Sequence, residues 1–140
     1  MNGFDITQQP KTSDEESIVH IHGLDDKPLY FKDDEESDPQ PVTITVLSVH
    51  SKKIRRFDES MRKRRIKASR LTGEALHEDS LDRAVHGTVT WQGFRSGEKA
   101  LAPTAENVRM IYEQYPWVLD QVVEAMNDNQ RFFSSASTPQ

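Results

Sequence analysis

Apolar and polar positions along this chain follow two different periods. From Val42 to Val49 they alternate. Val42, Ile44 and Val46 fall on one side and Thr43 and Thr45 on the other, the period of two expected of a half-buried strand. Ile18 to Ile21 reads as a shorter strand, Asp25-Asp26-Lys27-Pro28 as a turn, and Leu29-Tyr30-Phe31 as a return strand. The acidic stretch from Asp33 to Pro41, with prolines at 39 and 41, reads as a loop. The first third therefore predicts a small antiparallel sheet or meander.

At His50-Ser51 the period changes. Ser51 is placed to cap a helix by accepting a backbone N–H bond. Ile54, Phe57, Met61, Ala68 and Leu71 then recur at helical spacing, interrupted by Arg64 and Arg65, which gives a narrow apolar seam and a wide cationic face. Leu76, Leu81, Ala84, Val85 and Thr88 predict a second helix from about Glu74 to Thr90, against which Gly87 counts roughly 1 kcal/mol relative to alanine. Trp91 to Gly97 reads as a glycine-punctuated loop. Thr104 is the expected N-cap of a third helix, with Glu106 in its positive first turn and Val108, Ile111, Tyr112 and Tyr115 along it. Pro116 ends that helix and opens a fourth, which carries Trp117, Leu119, Val122, Val123 and Met126. Phe132 and Phe133 follow a polar Asn-Asp-Asn stretch. The expected fold class is α+β, mainly helical: a small N-terminal antiparallel sheet or hairpin followed by about four helices. It forms a single domain over 18–133, between an acidic N-terminal tail (1–17) read as disordered and a flexible tail (134–140).

Composition narrows the setting. In 140 residues, 34% apolar, there is enough for one small core. No cysteine is present, which excludes disulfides and thiolate chemistry. No apolar run approaches the roughly 20 residues that span a bilayer. The first 17 residues have neither a basic nor an apolar leader region and do not read as a signal peptide. These features predict a soluble intracellular protein without a membrane partner.

Charge changes the picture more. Residues 52–70 carry ten Lys or Arg against Asp58 and Glu59, a formal +8, inside a chain of −5. Residues 1–51 stand at −8 and residues 71–140 at −5. A block this localised calls for a partner: a nucleic acid, an acidic protein surface, or the chain's own acidic segments. The surrounding acid repels nucleic acid, and no known DNA-binding motif follows the block. The favoured reading is a docked helix with a cationic protein-contact face, its charge offset by the preceding acidic segment. Phosphate binding is the minority view.

Other candidate chemistry is sparse. His20 and His22 would share one face of a strand, but with His50 they offer no telling metal-ligand spacing and read as edge or surface histidines. His77 and His86 read as structural or exposed. Asp14-Glu15-Glu16 and Asp33-Asp34-Glu35-Glu36 lack the order of a calcium loop and read as solvated loops. No phosphate-binding glycine loop, nucleophile elbow or zinc-protease motif occurs. The expectation is no enzyme, no cofactor and no metal. The aromatics Trp91, Phe94, Tyr112, Tyr115, Trp117, Phe132 and Phe133 form a heavy load for a short C-terminal half; they read as core, with an exposed subset marking a protein interface.

The order of these features resembles a known family. A turn ending in Lys27-Pro28 leads to a strand, then to His50-Ser51-Lys52-Lys53-Ile54-Arg55 and a basic helix with Arg64-Arg65. Trp91-Gln92-Gly93-Phe94 and Gly97 follow, then Thr104-Ala105-Glu106-Asn107-Val108, Trp117, Val122 and Phe132-Phe133. Over residues 27–133 this is similar to the tail assembly chaperones of long-tailed bacteriophages. His50 stands where that family commonly has an acidic residue, and Ile54 where it commonly has an aromatic. The resemblance implies a non-enzymatic protein of the host bacterial cytoplasm. Such a protein keeps the long helical tape-measure protein soluble, helps tail-tube subunits assemble around it, and is absent from the finished tail. The candidate contact residues are Arg55, Arg62, Arg64 and Arg65 on the basic helix and Trp91, Phe94, Tyr115, Trp117, Phe132 and Phe133 among the aromatics, with Met110 or Met126 as adaptable apolar contacts. Self-association is a further expectation. The alternatives are a structural virion component, such as a head–tail or tail protein, and a small nucleic-acid-binding regulator using the basic helix.

Overall fold

The computed structural model of the chain describes Thr7, residues 16–68 and residues 73–132. The flexible-tail reading of 134–140 lies outside these, as does all but Thr7 of the stretch 1–15. Glu16 and Ser17, expected in the polar tail, instead open the first strand.

The main sheet has three antiparallel strands: β1 (Glu16–His20), β4 (Thr43–Leu47) and β5 (Thr88–Gln92), in the order β1-β4-β5. Two short ladders flank it, β2 (Tyr30–Phe31) with β3 (Gln40–Pro41), and β6 (Arg95–Ser96) with β7 (Lys99–Ala100). The four helices are α1 (Lys52–Ala68), α2 (Gly73–His86), α3 (Ala105–Gln114) and α4 (Pro116–Asn127), followed by a 3-10 turn at Asn129–Phe132. The α+β, mainly helical class holds, with the small sheet gathered around the expected strand.

That strand is β4. Ile44 and Val46 are fully buried, Val42 nearly so, and Thr43 and Thr45 are half-exposed. Val19 of β1 pairs with Ile44, and Trp91 of β5 lies opposite Ile44 on the other side. α4 covers this inner face with Val118, Leu119, Val122, Ala125 and Met126, and Val108, Ile111 and Tyr112 of α3 and Leu81 and Ala84 of α2 join the same core.

The second helix stops short of expectation. It ends at His86, and residues 88–92, expected as its last turn and the start of a loop, form β5. Thr88-Val89-Thr90 is β-branched and suits a strand. Gly87 makes the exchange possible. Its carbonyl accepts the Leu47 N–H at 2.8 Å, and a Cβ there would stand 2.3 Å from Met126 Cε. A register shift between Thr45 and Val46 leaves Val89 as the extra residue of a bulge. The expected loop from Trp91 to Gly97 is likewise the end of β5, a tight turn at Gly93 (φ 88°) and one arm of the β6–β7 hairpin.

Because β4 and β5 meet at Val46 and Thr88, α1 and α2 leave and re-enter the sheet at the same end. They run side by side as a helical arm whose α2 also packs on α3 and α4, with Arg109 of α3 reaching Glu78 and Asp82. At its base Ile54 is fully buried, while further along Phe57 is half-buried and rests on the His86 ring at 4.5 Å. Met61 is buried between the two helices. Ala68 and Leu71, the rest of the expected seam, lie outside the described side chains. Ser51 caps α1, its hydroxyl accepting the Ile54 N–H at 3.3 Å. Thr104 caps α3 by accepting the Asn107 N–H at 3.1 Å, and Pro116 opens α4.

Candidate protein-contact surfaces

Two surfaces stand out, at different ends of the molecule. The first is the outer face of α1. Lys52, Lys53, Arg55, Arg56, Arg62, Lys63 and Arg64 are all exposed, against one exposed acid, Glu59, which sits 3.8 Å from Lys63. The flanks facing α2 are used internally. Arg83 of α2 makes a two-pronged pair with Asp58 at 2.8 Å on each prong. Arg65 donates to Asp79 at 2.7 Å and to the Ala75 carbonyl at 3.0 Å. Arg65 therefore joins the arm to itself, whereas Arg55, Arg62 and Arg64 are exposed, Arg62 at the rim of the groove toward α2 and Arg64 donating to the Met61 sulfur at 3.4 Å. These pairs also revise the charge balance expected for the helix: they run to α2, while the acidic run at 33–36 meets Arg95, 4.0 Å from Asp33. Lys67 and Arg70, the remaining cations of the block, lie outside the described side chains.

The second surface is a cleft of about 480 Å³ between α4 and the turn after β1. The turn is tightly built: Gly23 N–H donates to Lys27 O and Asp26 N–H to Gly23 O, both at 2.9 Å. Asp26 takes a left-handed conformation (φ 62°), which aspartate tolerates better than most residues. Gln121 ties the turn to α4. Its carbonyl oxygen accepts the His22 N–H at 2.7 Å, and its amide donates to the His22 and Trp117 carbonyls at 2.9 and 3.1 Å. The walls thus formed carry Val19, Leu24, Trp117 and Ala125 as apolar positions, with His20, His22, Glu124, Asp128 and Arg131 around them. Leu24 is 81% exposed, an unusual position for a leucine at the tip of a polar turn. Trp117 is half-buried, and exposed Tyr115 stands edge-on to it at 6.1 Å.

The remaining expected contact residues fall elsewhere. Trp91 is buried, stacks on half-buried Phe94 at 4.4 Å and donates its indole N–H to Leu101 O at 2.8 Å. Phe132 is fully buried. Both are core anchors and are corrected from the contact set, because neither ring reaches the surface. Phe133 lies outside the described residues. Met126 is buried in the core and Met110 is half-buried. His20 and His22 do share one side of the chain, their rings 6.0 Å apart. Among the described residues no three His, Cys, Asp or Glu side chains converge as metal ligands. Among the same residues no helix is long and apolar enough to cross a membrane.

Comparison of the chain with protein-family models, curated proteins and solved structures finds no match. The site must therefore be read from its own chemistry. Leu24 and Gln121 were not singled out from sequence, and His22 was weighed only as a metal ligand; an apolar residue within the otherwise polar run His22 to Lys27 was the available signal. The cleft offers apolar contact flanked by donors, acceptors and both signs of charge, the composition of a surface that takes an amphipathic protein segment. The α1 face offers charge alone.

Proposed function

We propose that this protein is a non-catalytic tail assembly chaperone of a long-tailed bacteriophage, acting in the host bacterial cytoplasm. In this reading it binds apolar stripes of the tape-measure protein in the cleft between α4 and the 22–27 turn, and aids the assembly of tail-tube subunits around that client. The observation that carries it is the pairing of exposed Leu24 with half-exposed Trp117 across a cleft with a charged and polar surround. An amphipathic helix can lay its apolar stripe between such anchors while its polar flanks meet the surround. The resemblance in residue order over 27–133 supplies the identity of the client.

The test is co-expression with a tape-measure fragment. The intact chain keeps the fragment soluble and co-purifies with it. Leu24→Asp, a change at an exposed tip, lowers affinity at least about tenfold, or roughly 1.4 kcal/mol, and leaves circular dichroism and the melting temperature unchanged. A fragment that stays equally insoluble and unbound sinks the proposal. Recovery of the polypeptide from purified particles replaces it with a structural virion role.

A further inference from the structure

We infer that the cationic face of α1 is the docking surface for the acidic loop 33–38 of a second copy of this chain, so that copies associate head to tail. This goes beyond the client reading and does not depend on it.

The first observation is the charge exposed on α1: among its described side chains Lys53, Arg55, Arg56, Arg62, Lys63 and Arg64 all reach solvent, against the single exposed acid Glu59 beside Lys63. The second is the loop. Asp33, Asp34, Glu35, Glu36 and Asp38 are all exposed. Lys32 and Arg95 offset two of these charges, and Glu98 beside them adds one. The loop is already shaped for docking. The Asp34 carboxylate accepts the N–H groups of Glu36 and Ser37 at 2.9 and 2.7 Å and the Ser37 hydroxyl at 2.8 Å. These bonds hold its pKa below the usual carboxylate range, with the Ser37 hydroxyl the largest cause. A loop ordered beforehand loses less entropy on binding.

The third observation is placement. The loop enters the sheet at the start of β4 and α1 leaves from its end, with the five residues Thr43–Leu47 between them. Those residues span roughly 17 Å, and α1 then pairs with α2 rather than turning back. One chain holds the two surfaces apart, so each is satisfied by a neighbour. Such a contact uses two different patches and repeats from copy to copy, closing into a ring or extending as a filament. Charge also decides between occupants. Each copy that docks carries a cationic face of its own beside its acidic loop, whereas a polynucleotide is anionic throughout and meets the chain's exposed acids as well as its cations.

The experiment uses the full chain in sedimentation velocity at about 0.01 M and about 1 M salt, where screening lengths are about 30 and 3 Å. The mass should rise with protein concentration at low salt and fall to monomer at high salt. Arg55→Glu with Arg62→Glu reverses one surface; Glu35→Lys with Glu36→Lys reverses the other. Each double variant alone should be monomeric at low salt with unchanged circular dichroism, and mixing the two should restore association through the swapped charges. Leu24→Asp should leave association intact, which separates this inference from the client proposal. It is overturned by a monomer at every concentration and salt, by a loop variant that associates like the parent chain, or by a mixture that stays monomeric. A duplex or single-stranded oligonucleotide that binds the loop variant as well as the parent, and fails on the α1 variant, assigns the face to nucleic acid and overturns it equally.

Discussion

α1 and α4, of 17 and 12 residues, are held in opposite ways. α4 buries five side chains, from Val118 to Met126, against the sheet and α3. Each fully buried aliphatic side chain is worth roughly 1.5–3 kcal/mol, so α4 belongs to the cooperative core. α1 buries Ile54 at its base and Met61 between the arm helices. Beyond that it relies on half-exposed ion pairs to α2, Arg83 with Asp58 and Arg65 with Asp79. Pairs of this kind contribute about 0–1 kcal/mol each. The core helix gives up its surface to stability. α1 keeps its described outer face exposed to solvent, which is why the charge can be used for contact.

The comparison breaks most clearly at two aromatics. Trp91→Ala and Phe132→Ala should each cost about 3–5 kcal/mol, the usual range for deleting a buried ring. Denaturant unfolding should show one shifted transition, reported alike by α1 and α4. A loss below 1 kcal/mol would mean that these rings face solvent and belong back in the contact set. Next in size is Gly93→Ala. The residue has φ 88°, and a Cβ there would lie 2.6 Å from Phe31 Cδ1. Backbone strain and overpacking together should cost roughly 1–3 kcal/mol, read as a lower melting temperature. A neutral result would show that the β5 exit is looser than the packing indicates.

Local patterns in the chain foretell part of this architecture. The β4 alternation, the Ser51 and Thr104 caps and the Pro116 helix start each depend on a few neighbouring residues, and each appears as expected. β5 does not, because Thr88 fits a helical stripe just as well as a strand. Only its pairing with Val46, forty-odd positions earlier, selects the strand. The surfaces divide along the same line. The α1 charge block is continuous in sequence and legible there. The cleft joins His22 to Gln121, 99 positions apart, and no local pattern encodes that meeting. Trp91 and Phe132 were misassigned because ring size says that a side chain must bury without saying whether a partner or the core receives it.

A smaller effect sits where arm and core meet. Thr88 Oγ1 lies 2.9 Å from Ala84 O and 2.6 Å from the Tyr112 hydroxyl. Thr88 has one hydroxyl proton, which it donates to the Ala84 carbonyl, so Tyr112 donates to Thr88. Tyr112→Phe should cost about 1 kcal/mol. Burial pushes the Tyr112 phenol well above its ordinary range. The sign follows from linkage: its contribution is full below the unfolded pKa near 10 and is lost as pH rises beyond it. The difference in stability between the parent chain and Tyr112→Phe should therefore narrow above about pH 10. A gap that stays constant into strong alkali would show that the phenol is not shielded.

The smallest expected effect is the most diagnostic for the arm. Asp58→Ala, Arg83→Ala and the double substitution should each change global stability by less than about 1 kcal/mol, with a coupling energy of a few tenths. The local consequence should be larger than the global one. Amide exchange should quicken along α1 beyond Asp58, where the seam is thin, while α4 amides exchange only through global unfolding. Equal loss of protection in α1 and α4 would mean that the arm folds as one unit with the core, and that its ion pairs carry weight their exposure does not suggest. Protection lost in α1 alone would mark the arm as a separately opening element, able to adjust its cationic face to a partner without disturbing the cleft.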